Sequence, residues 1–131
     1  MDELPIRSGD DVVRVRQHVR TTAAASGLSL VDQTKLVTAA SELARNTLVH
    51  GGGGVARVEV VTSPNGRTGI RLHFTDEGPG IIDVDLALQD GWSSGTGLGL
   101  GLSGSRRLVD EFELNSKPGA GTSVVVVKWS R

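Results

Sequence analysis

Glu42 and Asn46 stand four residues apart in the stretch Ser41-Glu42-Leu43-Ala44-Arg45-Asn46. On a helix that spacing puts a carboxylate and a carboxamide on one face, about 6 Å apart in axial rise. The carboxamide oxygen suits a hard cation such as Mg²⁺ that keeps waters and phosphate oxygens as its other ligands. A carboxylate one turn away could accept a proton from an attacking hydroxyl, or orient it. By itself the pair is also what an ordinary solvated helix surface carries.

Two glycine-rich stretches downstream add to it. Asp76-Glu77-Gly78-Pro79-Gly80 closes a strand-like run. A carboxylate there can accept from an exocyclic base amine while Gly78 and Gly80 let the base lie against backbone; it also reads as a plain turn. The stretch Gly97-Leu98-Gly99-Leu100-Gly101-Leu102-Ser103-Gly104 runs into a helix whose free N–H groups form an anion site. Its Gly99-x-Gly101-x-x-Gly104 matches the dinucleotide fingerprint, but that fingerprint must follow a strand, and Gln89 to Thr96 is loop-like. A phosphate-facing loop survives this objection; a Rossmann domain does not. Together the three stretches have the makings of a site for a nucleoside triphosphate and its metal ion.

The other chemistry-bearing residues give less. His18, His50 and His73 lie in different elements without ligand-like spacing, and no Ser-His-Asp constellation occurs. Trp92 falls between the glycine stretches, where a lid would lie, or serves as a core plug. Arg106 and Arg107 begin the third helix proper, where either could reach a phosphate or stay solvated.

The chain has 131 residues, 37% hydrophobic and 22% charged, with a formal net charge of −1. That length suits one domain with one core. A near-neutral balance argues against nucleic acid, which needs concentrated Lys and Arg. Without cysteine there are no disulfides or thiolate metal sites. The segment Met1 to Arg7 lacks the apolar run of a signal peptide, and Val124 to Val127 is far too short for a membrane span. The expectation is a soluble, cytoplasmic protein. Glycine, at 18 residues, clusters in Gly51 to Gly54 and Gly91 to Gly104, as loops against a ligand would. At Gly51 to Gly54 plain flexibility competes with that reading.

The elements that must hold these residues can be read in order. Asp10 or Asp11 could cap a first helix to about Ser26, with Val12, Val15 and Val19 on one stripe. Ser29 opens a second helix with Asp32 in a capping box, ending at Gly51. Strands are predicted at Val55 to Thr62 and Gly69 to Thr75, joined by a Ser63-Pro64-Asn65-Gly66 turn. A short helix near Asp83 to Leu88 and a long one from Leu100 to Asp110 follow, then strands Glu111 to Ser116 and Thr122 to Trp129. Ile70-Arg71-Leu72-His73-Phe74-Thr75 alternates cleanly, so one face of the sheet is buried and the other meets water. The fold class is α+β: a two-layer sandwich, mostly antiparallel, with helices on one face.

In this order and spacing the motifs resemble the ATP-binding fold shared by gyrase, the Hsp90 chaperone, histidine kinases and MutL, the GHKL or Bergerat fold. Within it the chain is similar to small bacterial serine kinases that act as anti-sigma factors and switch proteins, above all the RsbT-type switch kinases. The wording is carried by Val31-Asp32-Gln33-Thr34, Ser41 to Asn46, Asp76 to Ile81 and Gly97 to Leu102. It continues through Arg107-Leu108-Val109-Asp110-Glu111-Phe112 and Gly119-Ala120-Gly121-Thr122, over nearly the whole chain. The resemblance implies ATP and Mg²⁺ as cofactors. Asn46 would coordinate Mg²⁺, Glu42 would be the catalytic base, and Asp76 would bind the adenine amine. Gly78 and Gly80 would line the base pocket. Gly97, Leu98, Gly99, Leu100 and Gly101 would flank the phosphates beneath a lid, and Thr122 would support adenine through its hydroxyl.

The family also implies a partner-switching kinase, phosphorylating a serine on a STAS-domain antagonist and binding alternative partners such as a PP2C-type phosphatase or a sigma factor. The alternatives are an anti-sigma kinase that sequesters a sigma factor, a non-catalytic nucleotide-dependent binding module, and a small-molecule ATPase. Glu42 discriminates among them, because a pure binder needs no base one turn before its metal ligand.

Overall fold

The computed structural model describes residues 2–78 and 98–131. Strand β1 (Asp2–Ile6) is followed by helices α1 (Gly9–Ala25) and α2 (Leu30–Val49), and then by strands β2 (Gly54–Thr62) and β3 (Thr68–Asp76). Helix α3 (Leu98–Leu108) precedes β4 (Glu111–Ser116) and β5 (Thr122–Trp129). The strands form one sheet in the order β1-β2-β3-β5-β4, and every neighbouring pair is antiparallel. The expected α+β sandwich is what the chain adopts. The expected short helix at Asp83 to Leu88 and the position of Trp92 lie outside the described residues.

Alternation in the strands sorts the two faces. Ala56, Val58, Ile70, Leu72, Phe74, Val124 and Val126 point inward and are almost wholly buried. Val15, Val19 and Ala23 of α1 and Leu36, Ala40, Leu43 and Ala44 of α2 close over them, while Leu102 of α3 joins the same core. The outer face is held by polar pairs instead: Glu3 with Arg57, Glu59 with Arg71, and His73 Nε2 with Ser123 Oγ at 2.8 Å. Burial, reinforced by Arg57 and Arg71, holds the His73 imidazole below its ordinary value of 6.5.

Three details depart from the sequence reading. Helix α1 begins at Gly9, capped by Ser8 rather than by an aspartate: Ser8 Oγ accepts from Asp11 N at 3.4 Å. Asp11 instead turns back to accept from the N–H of Arg7, the residue before the cap, at 2.8 Å, and that bond holds its carboxyl below the usual range. Strand β1 was not foreseen, because Pro5 argues against a strand; an edge position tolerates the missing donor. Helix α3 starts at Leu98, not Leu100, which changes what the glycine stretch is.

Candidate functional site

Asp76, at the end of β3, is the centre around which the chain's glycines gather. Its Oδ1 accepts from Gly78 N at 2.9 Å and from Thr122 N at 3.2 Å. A Cβ on Gly51 would collide with the Asp76 side chain and would lie 2.6 Å from Oδ2. A Cβ on Gly78 would lie 2.6 Å from Gly51 Cα, and one on Gly121 would collide with the Asp76 carbonyl oxygen. Three chain segments thus meet around Asp76 at distances only glycine permits. Oδ1 is fixed by backbone donors, while the Asp76 side chain, Oδ2 included, packs directly on the Gly51 backbone.

The register of the sheet extends this point into a row. Asp76 pairs with Thr122, and Thr122 with Ser116, so the three polar side chains stand side by side on the inner face. Thr122 Oγ1 lies 2.9 Å from Ser116 Oγ. The row borders a concavity of about 310 Å³ at the strand ends, which Lys117 and Gly121 and the outer-face residues Thr75, Asn115 and Ser123 also line.

Helix α2 brings the other candidates. Its C-terminus lies against Asp76 through Gly51, and Asn46 O accepts from His50 N at 2.9 Å and Gly51 N at 3.4 Å. Glu42, Asn46 and His50 follow at four-residue intervals along one face. Burial holds the His50 imidazole below its ordinary 6.5, against the opposing pull of Asp76. Asn46 Nδ2 is buried without a hydrogen-bond partner among the described residues. Glu42 is half-buried and lines a groove of about 460 Å³ between α1 and α2, together with Arg16, Gln17, Arg20, Thr38 and Ser41.

The remaining candidates divide. Leu98, Gly99, Leu100 and Gly101 form the first turn of α3 rather than a loop, so the free N–H groups there are those of a helix N-terminus. Helix α3 packs against α2. Arg106 and Arg107 sit in its last turn, about 12 Å along the axis from Leu98, and leave the list of phosphate candidates. Gly80 and Gly97 lie outside the described residues. Sequence reasoning missed Gly51, Gly121 and Ser116. The first two carried a signal in their glycine clusters; Ser116 carried none until the strands were in register.

Residues 31–130 match the family described as histidine kinase-, DNA gyrase B-, and HSP90-like ATPase. The serine/threonine-protein kinase RsbT of Bacillus subtilis (strain 168) is 44% identical over 121 residues, covering 92% of this chain and 90% of that protein. The chain belongs to the GHKL ATPases, in the RsbT family of serine/threonine-protein kinases. An anti-sigma F factor of Thermoanaerobacter sp. (strain X514) is 32% identical over 98 residues, covering 70% of this chain and 66% of that protein. The RsbU and RsbW domains of Rv1364c from Mycobacterium tuberculosis superpose with a TM-score of 0.65 at 23% identity, covering this chain wholly and 33% of that longer one. The mycobacterial sensor histidine kinase MprB gives 0.57 at 20% identity, covering 99% of this chain and 97% of that one. These two structures speak to the fold.

Membership of this ATPase family makes ATP the nucleotide, and the residues fit it. Asp76, which borders the concavity and whose Oδ2 is an acceptor, suits a base amine. Asn46 Nδ2, unpartnered among the described residues, is a donor that suits a phosphate oxygen, while the Oδ1 of the same carboxamide is the atom able to ligate a metal. Among the described residues no three His, Asp or Glu side chains cluster to hold a metal unaided. A cation here would have to bring oxygen ligands with it, as Mg²⁺ on a triphosphate does. No helix among the described residues is long and apolar enough to cross a membrane.

Proposed function

We propose that the protein is an ATP-dependent serine kinase acting on a partner protein, with Glu42 as its base and Asn46 as its Mg²⁺ ligand. The observation that carries this reading is Glu42 itself. Its carboxylate has no hydrogen-bond or ion-pair partner among the described residues, stands one turn from Asn46, and borders a groove open to solvent. A carboxylate in that position is reachable by a macromolecule's side chain.

Bound Mg-ATP supplies the phosphoryl group and the charge neutralisation. Asp76 and Thr122 would hold the base, the N-terminal turn of α3 would offer its free N–H groups to the phosphates, and Asn46 would ligate the Mg²⁺. Glu42 orients the acceptor hydroxyl and takes its proton as the new O–P bond forms and the bond to the β-phosphate oxygen breaks, releasing ADP. Kinship with RsbT supports a STAS-domain antagonist as acceptor. The anti-sigma relatives support partner switching with a PP2C-type phosphatase or a sigma factor as the alternative ligand.

Single-turnover transfer to the purified partner tests the base. Glu42→Gln should keep ATP and partner binding while losing about 10²–10⁴ in rate. Full transfer by that variant, or none by the parent, returns the protein to the non-catalytic binding module. Asn46→Ala should weaken nucleotide binding in Mg²⁺ and leave metal-free binding near the parent's, measured by calorimetry with and without EDTA. Equal Mg-ATP affinity in the two proteins removes Asn46 as ligand.

A further inference from the structure

Hydroxyls within α1 and α2 mostly turn back on their own backbone. Thr21, Thr34, Ser41 and Thr47 each donate to the carbonyl four residues earlier, at 2.9–3.0 Å. Thr38 does not, and its hydroxyl has no partner among the described residues. It opens instead on the groove between α1 and α2, across from Arg16, Gln17 and Arg20. Those three are exposed, and their side chains have no hydrogen-bond or ion-pair partner among the described residues. Arg16 and Arg20 stand one turn apart, about 6 Å along the helix. Four uncommitted donors therefore share one concavity of about 460 Å³, in which Glu42 is the one carboxylate among the described lining residues.

We propose that this groove is a binding site for a phosphomonoester, and that its ligand is the phosphoserine of the phosphorylated partner protein. Such a group is close to a dianion at pH 7 and brings three strong acceptor oxygens. Two guanidinium groups give it planar forks of N–H donors, while Gln17 and Thr38 add neutral ones. A single carboxylate on the ligand would need only one of the arginines; a dianion calls for both. Their two positive charges outweigh the Glu42 carboxylate, which borders the same groove. Once Glu42 has given up the proton it took, it repels the new phosphoserine, and the arginines lie on the side where the groove runs. The product is thereby retained on the kinase and competes with the next acceptor. The inference deepens the serine-kinase reading above and rests on it.

Two measurements on the full chain test this. In the first, the nucleotide-free protein is titrated with O-phosphoserine, serine and inorganic phosphate and followed by NMR. O-Phosphoserine should shift the Arg16 and Arg20 Nε–H signals and the Thr38 amide, and serine should not. The double variant Arg16→Gln, Arg20→Gln should lose the response. Shifts confined to the N-terminal turn of α3, or none at all, overturn the site. The second compares the dissociation constants of the unphosphorylated and phosphorylated partner, with Mg-ADP present throughout. Arg20→Gln should lower the ratio of the first to the second by roughly three- to tenfold, the worth of a charge-assisted contact at a surface. Steering by charge alone would change both constants and leave their ratio where it was. An unchanged ratio in the double variant, beside shifts from inorganic phosphate, assigns the groove to free phosphate and overturns the product assignment. A parent that transfers no phosphoryl group would instead sink the serine-kinase reading, and the O-phosphoserine titration would still decide the groove.

Discussion

At Gly51 the backbone of the α2 terminus rests on the Asp76 side chain, and no Cβ fits between them. Gly51→Ala should therefore push the carboxylate off its two backbone donors, lowering stability by about 1–3 kcal/mol and weakening nucleotide binding with it. Gly104, inside α3 with open space around its Cα, is the control: Gly104→Ala should raise stability by about 0.5–1 kcal/mol. Urea unfolding of the two variants checks both signs, and equal behaviour would show that contact at Gly51 is not what matters. Single residues were unevenly legible in the sequence. The Ser29 cap could be read directly, because Ser-x-x-Asp ahead of an apolar stripe is a local signal, and Ser29 Oγ does accept from Asp32 N at 3.1 Å. Likewise the shared face of Glu42 and Asn46 follows from helical period alone. At Gly51 a ligand-facing loop and plain flexibility stayed undivided, because its contact is with a residue 25 positions away and no local pattern encodes that.

Elements were legible where a period ran unbroken. Helix α2 and strands β2, β3 and β5 emerge within a residue or two of the reading, since each carries a long apolar stripe or clean alternation. Strand β1 is short and contains Pro5, and it exists because β2 offers it an edge. The α1–α2 pair holds a feature that neither helix shows alone. Arg16 and Arg20 lie one turn apart on α1, exposed and without an ion-pair partner among the described residues, across the groove from Glu42. By contrast Arg14, Arg57 and Arg71 are each paired. Two unneutralised guanidinium groups beside the proposed base suit an acidic acceptor segment, steered by charge. Replacing both with Glu should lower kcat/KM for the partner protein by roughly tenfold or more through KM, and flatten its salt dependence. Affinity for Mg-ATP should stay the same. Unchanged partner KM would move the docking face elsewhere.

Across the whole molecule the inner face of the sheet is polar at both ends and apolar between. One end is the Asp76, Thr122, Ser116 row. At the other, Lys128 faces Ile70 in register, and its side chain is only 3% exposed. Lys128 Nζ lies 3.6 Å from Asp32 Oδ1 and 3.5 Å from Asp110 Oδ1, while Arg131 Nε reaches Asp32 Oδ2 at 3.3 Å. Asp110 Oδ2 also accepts from Trp129 N at 2.7 Å. This network pins the start of α2, the turn after α3 and the end of β5 to one another. It accounts for the aspartates in the Val31-Asp32-Gln33-Thr34 and Arg107 to Phe112 motifs, which lie far from the nucleotide end. Lys128→Met would leave the Asp32 carboxylate, itself 5% exposed, without its buried cation, and Arg131 is too solvated to replace it. Removing one partner of a buried pair typically destabilises by about 3–5 kcal/mol, so the urea midpoint should fall sharply. Adding Asp32→Asn should recover part of the loss, since the uncompensated charge is then gone. Six residues along a strand separate the two ends, about 20 Å. Under conditions where the variant remains folded, its affinity for Mg-ATP should therefore match the parent's. A variant of parental stability would show the network to be ornamental, and a folded variant with impaired nucleotide binding would mean that the two ends of the sheet are coupled.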